Sequence, residues 1–232
     1  MCPSAQVGIT LNFTPAWAAS DDPADVEAAR RFDGWFNRWF LDPVCGRGYP
    51  ADMRATFERE GVLDPEPAWL RPWDEAVIGV PTDFLGVNYY SRAVLRSGDA
   101  RAPQTVHAGD ERTDMGWEVH PESLRRLLVR LGEAYDGPLY VTENGAAYPA
   151  GADVAADPER VAYLHRHLQA CLDARTDGVD LRGYFAWSLL DNFEWAYGYD
   201  KRFGLVHVDY ATQVRTPKAS ARWMFPRPEP WR

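Results

Sequence analysis

Cysteine is scarce in this 232-residue chain: Cys2, Cys45 and Cys171 are the only three, widely separated. Their scatter argues against a disulfide framework and against a metal site of the C-x-x-C kind, and it favours a reducing, cytoplasmic setting with no metal and no cofactor. Long hydrophobic runs are missing too, since no stretch approaches the ~18 apolar residues of a membrane helix. There is no block of like charge, no solenoid-length repeat and no low-complexity tract. The 34 acidic and 25 basic residues leave a formal charge of −9. Nucleic acid and anionic membranes are therefore electrostatically poor partners, and a neutral ligand is the easier one. A secretory leader is not expected either. The short apolar run ending at Ala16-Trp17-Ala18 has no Lys or Arg before it, is interrupted by Asn12 and Pro15, and reads as a buried strand over Val7 to Phe13. The sequon Asn12-Phe13-Thr14 is followed by Pro15 and reads as chance.

Aromatics, by contrast, are plentiful: ten Trp, eleven Tyr and ten Phe in a chain that is 46% hydrophobic. That content builds one sizeable core, so residues 1–232 are expected to form a single domain with a tail at 225–232. Most rings belong to that core. A Trp beside polar groups could instead serve as a stacking platform for a sugar ring.

Strand-like and helix-like segments alternate, which predicts an α/β protein with a parallel sheet. Four strands are expected, at Gln6 to Phe13, Asp83 to Tyr90, Pro138 to Asn144, and Arg182 to Leu190. Helices open at Asp22-Pro23, His120-Pro121 and Asp157-Pro158, where proline suits the first helical position. Their apolar stripes read as Val26, Ala29, Phe32, Trp35, Phe36 and Trp39; Leu124, Leu127, Leu128, Leu131 and Tyr135; and Val161, Leu164, Leu168 and Leu172. A short helix is expected over Pro217 to Met224. Ser91 to Met115 reads as the longest irregular stretch, the kind of loop that carries binding residues.

Chemistry concentrates at three strand ends. Leu139 to Gly145 is a β-branched and aromatic run that delivers Glu143 just before a glycine turn. Asp83 to Tyr90 ends in Asn88, Tyr89 and Tyr90, and Tyr184 to Trp195 supplies indoles, carboxylates and amides. Carboxylate, phenol and indole at neighbouring strand ends are the ingredients of a polyol pocket. Other tempting features are set aside. His165 and His167 lie two residues apart on a helix and point to different faces, so they do not form a metal pair. Lys201-Arg202 reads as a solvated turn and Cys171 as core.

The runs F-L-G-V-N-Y-Y-S, M-G-W-E-V-H-P-E, Y-V-T-E-N-G and W-S-L-L-D-N-F-E-W-A-Y-G-Y-D-K-R-F-G, in this order, resemble glycoside hydrolase family 1. The N-terminal V-G-I-T-L-N-F-T-P run resembles that family's fifth barrel strand, so the similarity covers nearly the whole chain. It implies the C-terminal half, strands five to eight, of a (β/α)8 TIM barrel and a retaining β-glycosidase of the β-glucosidase type. By the same resemblance Glu143 is the nucleophile and Tyr90 the phenol that holds it, with Asn88 nearby as polar support. Glu194 and Trp195 bind hydroxyls of the sugar, Trp187 is the platform beneath it and Phe203 a wall, and Trp117 lines the leaving-group side. Glu194 would repel a 6-phosphate, so the implied substrate is a non-phosphorylated β-glycoside or oligosaccharide.

The general acid/base of this family lies in a T-F/L-N-E-P motif, and no such motif occurs here. Losing that catalyst typically costs about 10²- to 10⁴-fold, so the chain alone is expected to be severely impaired. The reading also leaves interior side chains without facing partners and two sheet edges open. An isolated monomer is accordingly expected to be unstable, and to pair with the missing N-terminal half-barrel or to self-associate. The alternative is a non-catalytic sugar-binding or structural remnant.

Overall fold

The computed structural model describes residues 4–64, 70–98 and 104–225. Cys2 and most of the expected tail, residues 226–232, lie outside the described residues.

In chain order the elements begin with β1 (Gly8–Phe13), β2 (Ala16–Ala18), α1 (Pro23–Phe32), a π-helical segment at Asp33–Arg38, α2 (Trp39–Val44), α3 (Ala51–Arg59) and α4 (Asp74–Ile78). They continue with β3 (Phe84–Tyr89), β4 (Ala93–Arg96), β5 (Gln104–Thr105), α5 (Pro121–Ala134), β6 (Leu139–Asn144) and α6 (Pro158–Thr176). The last are β7 (Leu181–Ala186), β8 (Val206–Val208), β9 (Arg215–Pro217) and α7 (Ala219–Met224). The main sheet has the order β1-β3-β6-β7, and every pairing in it is parallel. The α/β class with a parallel sheet is thus the architecture. The expected irregular stretch at Ser91 to Met115 instead contains β4 and β5, which join β2 in a small sheet of their own.

The core follows from two periodicities meeting. Alternate residues of the sheet, Leu85, Val87, Leu139 and Val141, are fully buried against one face of α5, where Leu124, Leu128 and Leu131 are buried as well. Helix α5 starts cleanly because Pro121 occupies its first turn and the His120 ring accepts the Ser123 amide at 3.2 Å. The opposite sheet face is small or polar over much of its area. Thr10, Gly86 and Thr142 crowd together there, and the Thr142 hydroxyl bonds Asn88 at 2.7 Å. Phe185 on the edge strand β7 is 58% exposed.

Two expected helical stripes are out of phase with the structure. Asp22 caps α1, accepting the Ala24 amide at 2.8 Å, but the helix passes into the π-helical turn. A π turn carries an extra residue and shifts every later side chain around the axis. Trp35 consequently faces solvent and Asn37 is buried, gripping both backbone groups of Thr14 just past β1; Val26, ahead of the π turn, is exposed as well, on the side of α1 away from the buried Asp25, Ala28 and Ala29. In α6 the buried side is Arg160, Tyr163, Leu164, His167, Ala170, Cys171 and Ala174, whereas Leu172 is exposed. Two polar residues sit on that buried face because they bond backbone carbonyls: Arg160 reaches Ala146, Arg202 and Phe203, and His167 Nδ1 lies 2.8 Å from the Tyr163 carbonyl. The expected strand at Arg182 to Leu190 stops at Ala186. Beyond it Ser188 and Leu189 pair instead with Phe203, Leu205 and Val206.

Candidate active site

Strands β3, β6 and β7 bring their C-terminal ends together, and each carries part of the site. The register sets Asn88 of β3 directly opposite Glu143 of β6. Between Val87–Val141 and Asn88–Glu143 the β6 strand has one residue too many, Thr142, and a matching shift lies between the β7 pairs Val141–Tyr184 and Asn144–Ala186. This bulge decides where the carboxylate points. Leu139 and Val141 face the helices, so strict alternation would send Glu143 into the same core. The extra residue reverses the phase: Glu143 turns to the open side and Asn144 takes the buried one.

Tyr90, just past β3, donates its hydroxyl to Glu143 Oε2 at 2.6 Å. Burial raises the Tyr90 ionisation well above the ordinary phenol range, and the hydrogen bond to Glu143 and the charges of Glu143 and Glu194 push it the same way. The phenol therefore stays a donor at neutral pH. Its ring packs 5.3 Å from Trp117 and 6.2 Å from Phe203, itself 6.2 Å from Trp117, so three aromatics wall one side of the carboxylate.

Trp187 follows β7 and is held by its backbone amide on the Asn144 carbonyl at 2.9 Å, with a cis peptide to Ser188. Gly145 fits against it without room for a side chain, since a Cβ there would lie 1.8 Å from the Trp187 carbonyl oxygen. Glu194 is 7% exposed, and its Oε2 has no hydrogen-bond partner. Burial raises its pKa, the Trp187 side chain lowers it by a hydrogen bond, and the charge of Glu143 raises it again. A buried carboxylate oxygen without a donor is costly unless a ligand supplies one.

Of the expected site residues the fold thus gathers Glu143, Tyr90, Asn88, Trp117, Trp187, Glu194 and Phe203. Trp195, next in the chain to the buried Glu194, is 83% exposed, in a turn where its φ is +42°. Lys201 and Arg202 are not the solvated turn expected of them. Lys201 Nζ binds Asp114, and Arg202 reaches the fully buried Asp191, the Val208 carbonyl and the face of Tyr210. For Arg202 the reason is Asp191, a buried charge that also collects Lys218 Nζ at 3.1 Å and the Gly204 amide at 2.9 Å. These contacts brace the loop that presents Phe203.

Burial lowers the His167 pKa to about 4, its ring stacks 3.8 Å from Tyr163, and His165 faces solvent, so the two do not converge. Among the described residues no group of three His, Cys, Asp or Glu is arranged to hold a metal, and no described helix is long and apolar enough to cross a membrane. Sequence reasoning missed the polar residues behind the site, Asn144, Tyr163, Tyr184 and Arg160, although Asn144 stands inside the motif that drew attention to Glu143. Next to the site a cavity of about 410 Å³ is lined by Asn12, Tyr90, Arg92, His107, Trp117 and Glu118 among others. Arg92 clamps Glu118 there with two bonds of 2.9 Å and thereby lowers its pKa.

Comparison with known proteins adds a second line of information. Residues 1–226 match the model of glycosyl hydrolase family 1. The chain is 43% identical to a beta-glucosidase from an Agrobacterium species over 96% of its own length and 49% of the relative's. It is 41% identical to a bifunctional beta-D-glucosidase/beta-D-fucosidase from Bifidobacterium breve over 86% of this chain and 47% of that one. Among solved structures, the AHE enzyme of Alicyclobacillus herbarius superposes with a TM-score of 0.90 at 44% identity, covering 95% of this chain and 50% of that one. A family 1 b-glucosidase from Thermotoga maritima does so with a TM-score of 0.84 at 36% identity, covering 94% and 49%. The chain spans about half the length of the relatives it matches.

Proposed function

The chain belongs to glycosyl hydrolase family 1, and from that premise we propose that it is the nucleophile-bearing part of a retaining β-glycosidase of the β-glucosidase type. In this reading its four-stranded sheet is strands five to eight of a (β/α)8 barrel, with the active site at the C-terminal strand ends. The observation that carries the proposal is the 2.6 Å bond from the Tyr90 hydroxyl to Glu143 Oε2, made between the ends of adjacent parallel strands. A phenol fixed on one carboxylate oxygen leaves Oε1 aimed for attack.

Oε1 forms a bond to the anomeric carbon as the bond from that carbon to the aglycone oxygen breaks, giving a glycosyl ester. Water then attacks the same carbon, the ester bond returns its electron pair to Glu143, and the sugar leaves with its configuration retained. Trp187 floors the sugar, Glu194 accepts its hydroxyls with the oxygen that lacks a protein donor, and Phe203 and Trp117 close the side. Asn88 supports Glu143 from across the sheet. A carboxylate at Glu194 favours non-phosphorylated glycosides.

Protonation of the leaving oxygen needs a second carboxyl group roughly 5–5.5 Å from the first in a retaining enzyme. The motif that supplies it in the family is absent from this chain, so turnover of natural glycosides by the chain alone is proposed to be very low. Strands β1 and β7 form the two edges of the main sheet, and Phe185, Leu189, Phe193 and Trp195 are exposed along or beyond β7. An open edge with apolar neighbours invites strand addition. A complementary half-barrel or a second copy of this chain is the proposed cover.

An activated 2-deoxy-2-fluoro-β-glucoside with a dinitrophenolate leaving group tests the reading, because such an aglycone departs without a proton. The expected result is a mass adduct on Glu143 that Glu143→Gln abolishes. Binding of glucose or cellobiose with no adduct would overturn it in favour of a sugar-binding remnant.

A further inference from the structure

We propose that Asn144 is a positioning residue that locks the nucleophile, the phenol and the indole platform into one unit; the inference rests on the assignment of Glu143 as nucleophile. The side chain of Asn144 is wholly buried. Its Nδ2 donates to the Tyr89 carbonyl at 2.8 Å and to the Tyr163 hydroxyl at 2.9 Å, and its Oδ1 accepts the Tyr184 hydroxyl at 2.7 Å. Its backbone carbonyl accepts the Trp187 amide at 2.9 Å.

Two of these bonds lead to Tyr90 and one to Trp187. The Tyr89 carbonyl belongs to the peptide that leads into Tyr90, and the Tyr163 hydroxyl bonds the Tyr90 carbonyl as well, at 3.4 Å. The Trp187 amide sets the root of the platform. Glu143 is the residue before Asn144 in the chain, so its Cα can move only as far as Asn144 allows.

The bulge explains why such a device is needed here. Where β6 carries its extra residue the ladder is interrupted on both sides, and strand pairing alone no longer fixes the direction of Glu143. Side-chain bonds replace the lost ladder bonds. An amide suits the place because the Tyr89 carbonyl and the Tyr163 hydroxyl each take a donor, and the Tyr184 hydroxyl an acceptor, from the same small group, whereas a Ser or Thr hydroxyl has a single donor. Aspartate offers no donor, and leucine offers neither.

The experiment compares Asn144→Ala, Tyr163→Phe and Tyr184→Phe with the unaltered chain, with Tyr135→Phe as control. Tyr135 is also a buried tyrosine with a backbone acceptor, the Thr82 carbonyl at 2.7 Å, but it lies at the far end of β3. Two readouts are taken: labelling of Glu143 by the fluoroglucoside, resolved into affinity and maximal rate, and the proton resonance of the Tyr90 hydroxyl, identified by its loss in Tyr90→Phe. A displaced nucleophile typically costs on the order of 10²-fold. The three site variants should slow the maximal labelling rate by about 10- to 10²-fold with affinity unchanged, and should move the Tyr90 resonance upfield. Tyr135→Phe should change neither readout. Unaltered rate and resonance in the site variants would overturn the proposal, as would an equal loss in Tyr135→Phe. If Asn144→Ala does not fold, the two tyrosine variants decide the matter. If the unaltered chain takes no label, the nucleophile assignment falls and the Tyr90 resonance alone decides whether Asn144 positions the pair.

Discussion

Replacing Tyr90 with phenylalanine removes one oxygen and leaves the ring in its place between Trp117 and Phe203, at 5.3 and 6.2 Å. The pocket should keep its shape. What disappears is a 2.6 Å donor to a carboxylate, a length in the short range of charge-assisted bonds. Bonds to charged groups contribute about 1.5–3 kcal/mol. At about 1.36 kcal/mol per tenfold in rate, Tyr90→Phe should slow glycosylation of Glu143 by about 10- to 160-fold. The assay is the rate at which intact protein gains the mass of the fluoroglucosyl group over a range of reagent concentrations, which separates affinity from maximal rate. The pH dependence carries a sign. Burial first, and then Glu143, raise the Tyr90 ionisation, so the folded state holds the phenolic proton more tightly than the unfolded one. That contribution to stability is complete below the unfolded phenol's pKa of about 10 and is lost only as pH rises beyond it. Labelling by the unaltered chain should therefore not fall as pH passes about 10 through loss of this donor. A rate loss under about threefold, or a loss confined to affinity, would refute the reasoning.

Glu194→Gln should alter the pH dependence of stability. Because burial raises the Glu194 pKa, the folded state favours the protonated form, so stability is greatest below the ordinary glutamate range and falls as pH rises through the raised pKa. The variant's melting temperature should lack that descent above the ordinary glutamate pKa of about 4.3; an identical descent in the variant would contradict this. Gly145→Ala places a Cβ 1.8 Å from the Trp187 carbonyl oxygen, a backbone atom that cannot swing aside. Such overpacking costs about 1–3 kcal/mol, read from the urea midpoint, and an unchanged midpoint would show the turn to be looser than the structure has it. Asp191→Ala strips the buried Lys218 of a carboxylate at 3.1 Å. Breaking a buried pair costs about 3–5 kcal/mol, measurable by denaturant titration, and a loss below about 1 kcal/mol would fall within the range of exposed pairs and remove the network's importance.

Some of this structure was legible residue by residue. Helix α5 follows directly from Pro121 and the spacing of Leu124, Leu127, Leu128 and Leu131, because apart from Ser123 in its first turn its buried face is apolar. Helix α6 resisted the same reading because its buried face includes Arg160 and His167, whose partners are backbone carbonyls and, for Arg160, the Asp157 carboxylate, rather than apolar side chains of the stripe. The stripe after Pro23 goes out of phase at Trp35 because nothing local in Asp33 to Arg38 announces a π turn; its reward, Asn37 on the Thr14 backbone, lies 23 residues away. At the site, Glu143, Tyr90 and Glu194 were named from their motifs, whereas Trp195 carried an equally good motif and faces solvent.

The sequence by itself determined the alternation of strand and helix, the caps, and which strand ends would carry carboxylate, phenol and indole, since these depend on neighbours a few residues apart. The tertiary structure alone decided which way Glu143 points. A strand's side-chain direction is a property of its pairing, and the residue that reverses it, Thr142, is surplus only when β6 lies between β3 and β7.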